Sequence, residues 1–383
     1  MKILIILGTR INLGGGMEYY FKDLAQFFNG RHQLTIVEAA SGAEYTDLKR
    51  YFSNARIVTV GNKNGFDLPS FKDFKSLRKL FLENDVVYYH SGAWNIVYSA
   101  ILQFLTGTPV VGLAWFITDA QKRFKRGNKL ANDSPKAKFA TWFFGPSLVR
   151  IGRFFKRYQV VSHKDYVYLA KSHKDQERVR EITFGIDTSS YDLCEKEGRF
   201  TVIFLARLDY QKGADLLPEI FEKISSRIRD FKFRIVGDGP YLELIKELKR
   251  TNDNVEMFGY VSKQSEWVRY RKYLCSAHVF ISPIRYAGTT IIALESLASG
   301  TPVVELECTG TVERIKDGYN GFIVQNIDEM AERISEIYKE WSEGSGYDEM
   351  SLHAVESAKL FEQSDKFIEV ENLLIETAST KKV

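Results

Sequence analysis

Short apolar runs rich in Ile, Val, Leu and aromatic residues alternate with longer helical stretches along this 383-residue chain. That alternation predicts parallel β-sheets with helices on both faces. A first series of expected strands is Ile3–Leu7, Leu34–Val37, Ile57–Val60, Val86–Tyr89, Val110–Ile117 and Gln159–Val161. A second series is Thr201–Leu205, Phe231–Val236, Val255–Phe258, Val279–Ile281, Pro302–Glu305 and Gly321–Val324. Each series is enough for one doubly wound, Rossmann-like domain, and two such domains face each other across a crevice at the carboxyl ends of their strands. Between the series lie Ile182–Asp187 and a polar stretch, Thr188 to Gly198, which read as a hinge. From about Met330 the chain is charged and helical, with Phe367, Ile368, Val370, Leu373 and Leu374 forming an apolar face.

The stretch from Ser91 to Thr118 carries no charged residue, but its centre, Gln103 to Pro109, reads as a helix end and a turn. A spanning helix needs about 20 uninterrupted apolar residues, so a buried helix followed by a buried strand, Val110–Ile117, is expected. The apolar start, Met1–Gly8, is too short for a secretory signal and is followed by Thr9-Arg10, so it reads as a first strand. Cys194, Cys275 and Cys308 are odd in number, far apart and without paired spacing. Neither a disulfide framework nor a zinc site is expected from them, and a reducing, cytoplasmic compartment is.

Charge changes the picture. The net charge is only +4, yet residues 120–158 hold eleven basic residues and a single acid, Asp133, so this segment is +10 and the remainder −6. Eight aromatics are interleaved there, including Trp142, Phe143 and Phe144. Two readings stand: a solvated helix pair whose aromatics are core, or a surface that meets an anionic bilayer, a lipid diphosphate or an acidic glycan. Lys122, Arg123, Lys125, Arg126, Trp142 and Phe143 are its candidate contacts. No nucleic-acid recognition motif accompanies the charge.

Three motifs sit where such folds bind ligands. Leu13-Gly-Gly-Gly-Met-Glu18 follows the first strand, and Gly15 and Gly16 would let backbone amides approach an anion at a helix start. Purely steric glycine turns are also common there. Phe204-Leu-Ala-Arg207-Leu-Asp-Tyr-Gln-Lys212-Gly213 delivers two cations at a strand end, Arg207 as a fork and Lys212 as a point charge, which suits a diphosphate. A solvated basic pair is the plainer reading. In Ser282 to Val304, Gly288, Thr289 and Thr290 would open a helix with free amides and hydroxyls. Glu295 lies on that otherwise apolar helix and needs a partner, such as ribose hydroxyls. Ile235-Val-Gly-Asp-Gly-Pro240, with Gly237, is a strand running into a tight turn.

Arg207 with Lys212, Gly237-Asp-Gly-Pro240, Phe258-Gly259, Ser282-Pro283, Glu295 to Val304 and Glu313 with Asp317-Gly-Tyr-Asn-Gly321 resemble, in order and spacing, family 4 of the GT-B glycosyltransferases. The resemblance covers residues 182–325; the amino-terminal half agrees more loosely. It implies a GT-B fold: an acceptor domain of residues 1–186 plus about 363–383, and a nucleotide-sugar domain of residues 187–362. An interdomain cleft and a carboxyl-terminal helix that crosses back complete it. It implies retaining transfer of a sugar from a nucleoside-diphosphate sugar, with no metal or cofactor; the basic, aromatic segment adds the expectation of a lipid-linked or glycan acceptor at the inner membrane face. Arg207 and Lys212 would neutralise the leaving diphosphate, Glu295 would hold the ribose, and Gly15, Gly16, Gly288, Thr289 and Thr290 would cradle the phosphates. The base would lie near Phe258, Gly259 and Val261.

Two positions depart from the family pattern. The Glu-x7-Glu signature has Ala287 in place of its first carboxylate, and Trp115 stands where a His is frequent. His90, Thr118 or Asp119 would then supply polar contact at the reacting centre, although His90 also reads as a buried histidine at a strand end. Leu7-Gly-Thr-Arg10 keeps a nucleotide-sugar 2-epimerase open, and loss of the two family residues leaves room for a non-catalytic nucleotide-sugar-binding subunit.

Overall fold

The computed structural model describes residues 1–7, 16–39, 52, 55–60, 71–90, 95–114, 154–173, 176–285, 290–308 and 310–381. Two compact units emerge, Met1–Thr183 with Ser364–Val383, and Phe184–Gln363.

In the first unit the strands are β1 (Lys2–Leu7), β2 (Gln33–Ala39), β3 (Ala55–Val60), β4 (Val86–His90), β5 (Val110–Ala114), β6 (Arg157–Val160) and β7 (Val179–Glu181). They form one sheet in the order β3-β2-β1-β4-β5-β6-β7, every pairing parallel. All five residues of β4 are buried, as a strand covered on both faces requires. The chain reverses direction in strand order between β1 and β4, the place where doubly wound sheets open a crevice. Helices α1 (Gly16–Phe27), α2 (Phe71–Glu83), α3 (Asn95–Thr106) and α4 (His163–His173) connect the strands.

The uncharged stretch tested above for a membrane span resolves as expected where it is described. Helix α3 ends at Thr106, and Gly107 takes φ 70°, the left-handed stop that favours glycine. Among the described residues no helix is long and apolar enough to cross a membrane.

The second unit holds β8 (Thr201–Leu205), β9 (Lys232–Val236), β10 (Val255–Phe258), β11 (Val279–Ser282), β12 (Val303–Leu306) and β13 (Gly321–Val324). Their order is β10-β9-β8-β11-β12-β13, so the reversal falls between β8 and β11. Helices α5 (Leu217–Ser225), α6 (Leu242–Thr251), α7 (Trp267–Cys275), α8 (Ile291–Ala298), α9 (Ile327–Ser342) and α10 (Tyr347–Lys359) surround the sheet. Phe233, Ile235, Ile281 and Val304 pack into one core and Ile203, Phe280 and Val303 into another. Alternate residues of a strand thus serve opposite faces.

The last helix, α11 (Gln363–Ala378), carries the chain back to the first unit. Phe367 rings lie 5.6 and 5.5 Å from those of Tyr20 and Phe27, and Glu371 accepts from Arg31 at 3.1 Å and meets His32 Nε2 at 2.6 Å.

The cysteine reading is corrected. Cys194 and Cys275 form a disulfide across 81 residues, with Cα atoms 5.5 Å apart, and Cys308 is a buried thiol outside that bond. Pairing depends on distance in space, and the segment entering β8 runs past the end of α7. Cysteine usage therefore no longer points to a reducing compartment. The basic, aromatic segment is also divided where it is described: Phe155 and Tyr158 are core residues, whereas Phe154 is 56% exposed. Arg157 pairs with Glu376 at 3.2 Å.

Candidate active site

All but the last residue of β8 is fully buried, so the chain leaving it emerges from mid-sheet directly into the reversal between β8 and β11. Ala206 and Leu208 donate backbone N–H groups to Val236 and Asp238 at 3.1 and 2.8 Å, which ties this loop to the turn after β9. That turn needs its glycine: at Gly237, φ 149°, a Cβ would stand 1.9 Å from the Ala206 carbonyl oxygen. The Gly237 N–H is itself engaged by Phe258 O at 3.1 Å. Its place is thus close backbone packing, and no free amide is offered from it.

Asp209 organises the two cations. Its Oδ2 accepts from Arg207 Nε at 2.5 Å and its Oδ1 from the Lys212 backbone N–H at 2.8 Å. The Arg207 side chain remains 66% exposed, and its two terminal nitrogens have no partner among the described residues. Lys212 is partly buried. Burial pulls its pKa down, while the charges of Asp209 and Glu305 oppose that pull and Arg207 adds to it. Gly213, φ 74°, lets the loop reach the turn after β11, since a Cβ there would lie 2.1 Å from Pro283 O. Arg285 then clamps the two loops with a bidentate pair to Asp215 at 2.6 and 2.7 Å, a bond to Tyr210 O at 2.6 Å, and its guanidinium 3.8 Å from the Tyr210 ring centroid.

Glu295 sits on α8 and is 2% exposed. Its Oε1 is 2.5 Å from Lys263 Nζ, and its Oε2 accepts from Tyr270 OH. The partner that a buried carboxylate requires is thus supplied by the protein. Trp267 stacks on Tyr270 with centroids 5.9 Å apart and also faces Lys263. Phe258, half-buried, lies against Tyr273 at 4.7 Å between centroids, and Val261 is buried nearby in the same core. Thr290 precedes α8 as its cap, and its Oγ1 accepts from Arg314 Nη2 at 3.1 Å.

In the first unit, His90 ends β4 and is completely buried. Its ring meets Phe21 edge-on at 5.1 Å, and burial lowers its pKa to about 4, so the ring is neutral at pH 7. Gly16 opens α1. Gly15, Asp119, Gly288, Thr289, Lys122, Arg123, Lys125, Arg126, Trp142 and Phe143 lie outside the described residues, as do Ala287 and Trp115. Among the described residues no three His, Cys, Asp or Glu side chains converge as a metal site would need.

The residues brought together by the second sheet are therefore Arg207, Lys212, Thr290 and, across α7, Glu295. Sequence reasoning missed Asp209, Lys263, Tyr270, Glu305 and Arg314. For Glu305 a signal existed: a carboxylate closes the apolar run Pro302-Val-Val. Nothing local in the sequence marks Arg314 as its partner.

A two-unit architecture of parallel sheets with ligand loops at the carboxyl ends is the GT-B fold. It recurs in Anabaena Alr3699/HepE, solved in complex with UDP, at TM-score 0.74 and 16% identity over 98% of this chain and 100% of that one. Residues 199–340 match the family model of glycosyl transferases group 1, and match and fold together support that family. An uncharacterized glycosyltransferase of Methanocaldococcus jannaschii is 27% identical over 197 residues, 49% of this chain and 53% of that protein. The GDP-mannose-dependent alpha-(1-6)-phosphatidylinositol monomannoside mannosyltransferase of Mycobacterium tuberculosis is 30% identical over 151 residues, 36% of this chain and 38% of that protein. The chain thus spans about half the length of the first relative and less of the second.

Proposed function

We propose that this protein is a retaining, metal-independent glycosyltransferase that moves a sugar from a nucleoside-diphosphate sugar to a lipid-linked or glycan acceptor at a membrane face. The observation that carries the reading is the pair Arg207 and Lys212, set by Asp209 at the reversal of the second sheet. Negative charge grows on the diphosphate as the glycosidic bond to the donor sugar breaks, and preorganised cations there stabilise the transition state more than the ground state. Arg207 offers its unengaged fork and Lys212 its Nζ. The Lys263 and Tyr270 bonds hold Glu295 ready for ribose hydroxyls, while Thr290 precedes the α8 amides. The diphosphate is the base available to the acceptor hydroxyl, so the neutral, enclosed His90 is left to the core.

The membrane face is supported by the first unit's surface. Ile101, Phe104 and Leu105 on α3 are 44%, 88% and 51% exposed, and Phe154, near the end of the basic segment, is exposed as well. Gln103 Nε2 donates to Phe154 O at 2.5 Å, so α3 and that segment's end adjoin. Apolar side chains beside a run of Lys and Arg are what an anionic bilayer binds. The glycolipid named for the mycobacterial relative has the same amphipathic character.

The test is incubation with UDP- and GDP-sugars plus a membrane extract, followed by product analysis. Transfer to a lipid-extractable acceptor is expected. Binding of a nucleotide sugar with neither hydrolysis nor transfer would remove the enzyme reading, and turnover of a UDP-sugar to its 2-epimer without acceptor would replace it.

A further inference from the structure

Arg207 and Lys212 share the carboxyl end of the second sheet with a further cation, Arg285, which follows β11 in the loop after Ser282. Its side chain is largely buried, and its fork is turned onto the protein. Nη1 donates to Tyr210 O and to Asp215 Oδ1 at 2.6 Å each, and Nη2 donates to Asp215 Oδ2 at 2.7 Å. The guanidinium also lies 3.8 Å from the Tyr210 ring centroid. Arg207 differs, because its terminal nitrogens have no partner among the described residues. Two cations at one sheet end thus have different tasks: Arg207 is left open, and Arg285 is spent on a neighbouring loop.

What Arg285 holds is the segment that carries Lys212. Its guanidinium takes the Tyr210 carbonyl, and its backbone N–H donates to Gln211 O at 3.0 Å. Directly after Lys212, Gly213 seats on Pro283 O, where a Cβ would stand only 2.1 Å away. Lys212 is thereby bracketed, tied to Arg285 on one side and to Pro283 on the other. Inside the bracket, Lys212 N–H donates to Asp209 Oδ1 at 2.8 Å and Gly213 N–H to Tyr210 O at 3.2 Å. The Tyr210 carbonyl accepts from both Gly213 and Arg285, as its two lone pairs allow, so the turn's own bond is joined to the clamp. Asp215 lies in the short 3-10 turn Ala214–Leu216 that leads into α5, which fixes the far end of the clamp on a helix start.

We propose that Arg285 is a positioning residue for Lys212: anchored by Asp215, it holds the Tyr210–Gly213 turn so that the Lys212 ammonium is presented to the donor diphosphate. This rests on the reading that Lys212 faces the diphosphate. Lysine carries its charge on a flexible four-carbon stem, and a preorganised charge needs a fixed base for that stem. Asp209 sets the turn from within, and Arg285 sets it from the loop of the adjacent strand. A lysine at 285 keeps the charge but loses the bidentate, ring-stacked geometry, so it does not replace the arginine.

The test compares the full chain as wild type, Arg285→Met and Arg285→Lys, each with and without Lys212→Met. In ligand-free protein, hydrogen exchange at the Lys212 and Gly213 amides should quicken about tenfold in Arg285→Met, because the turn loses its outer hold. In calorimetric titrations with UDP and GDP, Arg285→Met should weaken the nucleotide that binds about tenfold, and Arg285→Lys at least about threefold. On the Lys212→Met background, Arg285→Met should change that affinity less than about twofold. A role in general stability would weaken binding equally with and without the Lys212 ammonium. Should Arg285→Met not fold, Arg285→Lys carries both measurements. Unmoved exchange, unchanged nucleotide affinity, or a loss undiminished on the Lys212→Met background overturns the proposal. Quickened exchange in a protein that binds neither UDP nor GDP leaves the hold on the turn standing and removes the donor reading instead.

Discussion

Two lysines of the second unit, at opposite ends of one sheet, have different surroundings. Lys196 lies at the amino ends of β11 and β12, where its Nζ donates to Ala277 O and Gly300 O at 2.8 Å each and to Thr301 Oγ1 at 2.9 Å. All three of its protons are spent inside the protein. Lys212, at the carboxyl end of β8, has no acceptor for its Nζ among the described residues, and Arg207 beside it spends only Nε. The amino end is closed on itself in the same way around Arg234, which reaches Glu197, Glu256 and Ser276 at 2.8, 3.1 and 3.0 Å. Saturated charges hold a fold together, and unsaturated ones at a strand end await a ligand.

That contrast predicts opposite phenotypes. Lys212→Ala or Arg207→Ala should cut transfer by about 2–4 kcal/mol of transition-state stabilisation with unfolding free energy changed by under about 1 kcal/mol, read from kcat/KM and urea melts. Unchanged rates in either variant would remove the diphosphate assignment. Lys196→Ala should do the reverse, costing about 2–3 kcal/mol of stability because three buried acceptors lose their donor. Donor affinity should stay near wild type once the protein is folded, and a melt identical to wild type would break the comparison.

His90 extends the comparison to the first unit. Its folded pKa of about 4 lies below the value of roughly 6.5 in an unfolded chain, so between these the unfolded state binds the extra proton. Stability is therefore full above about pH 6.5 and falls on acidification towards pH 4, by about 1.4 kcal/mol per pH unit at most. His90→Phe should flatten that dependence without removing transfer; a lost acid dependence together with lost transfer would return His90 to the reacting centre.

The smallest expected effect concerns the basic segment. Reversing charge at Lys122, Arg123, Lys125 and Arg126 should release the protein from anionic vesicles, and wild-type binding should weaken with salt. Salt-insensitive vesicle binding would count against an electrostatic membrane face.

Much of the fold was legible because parallel strands buried on both faces are continuous apolar runs, as in Val86–Tyr89 and Thr201–Leu205. Strand β7, Val179–Glu181, was not legible: it has three residues, two of them exposed, and closes the edge of its sheet. The site was legible as far as its cations, since Arg207 and Lys212 follow a strand at ligand-loop spacing. The buried pair beside Thr290 was not, because Glu305 and Arg314, like Cys194 and Cys275, meet only through the fold. Glu295 was marked by its apolar neighbours, yet its protein partners on α7 and the preceding turn were invisible in a local pattern.

The central claim is that the carboxyl end of the second sheet holds a nucleoside diphosphate through Arg207 and Lys212. Calorimetric titration of wild type, Arg207→Ala and Lys212→Ala with UDP and GDP, at one pH and salt, tests it most directly. The account predicts that at least one of the two nucleotides binds the wild type and that each variant weakens it about 30-fold or more, the scale of one lost electrostatic contact. Equal affinity in all three proteins would contradict it.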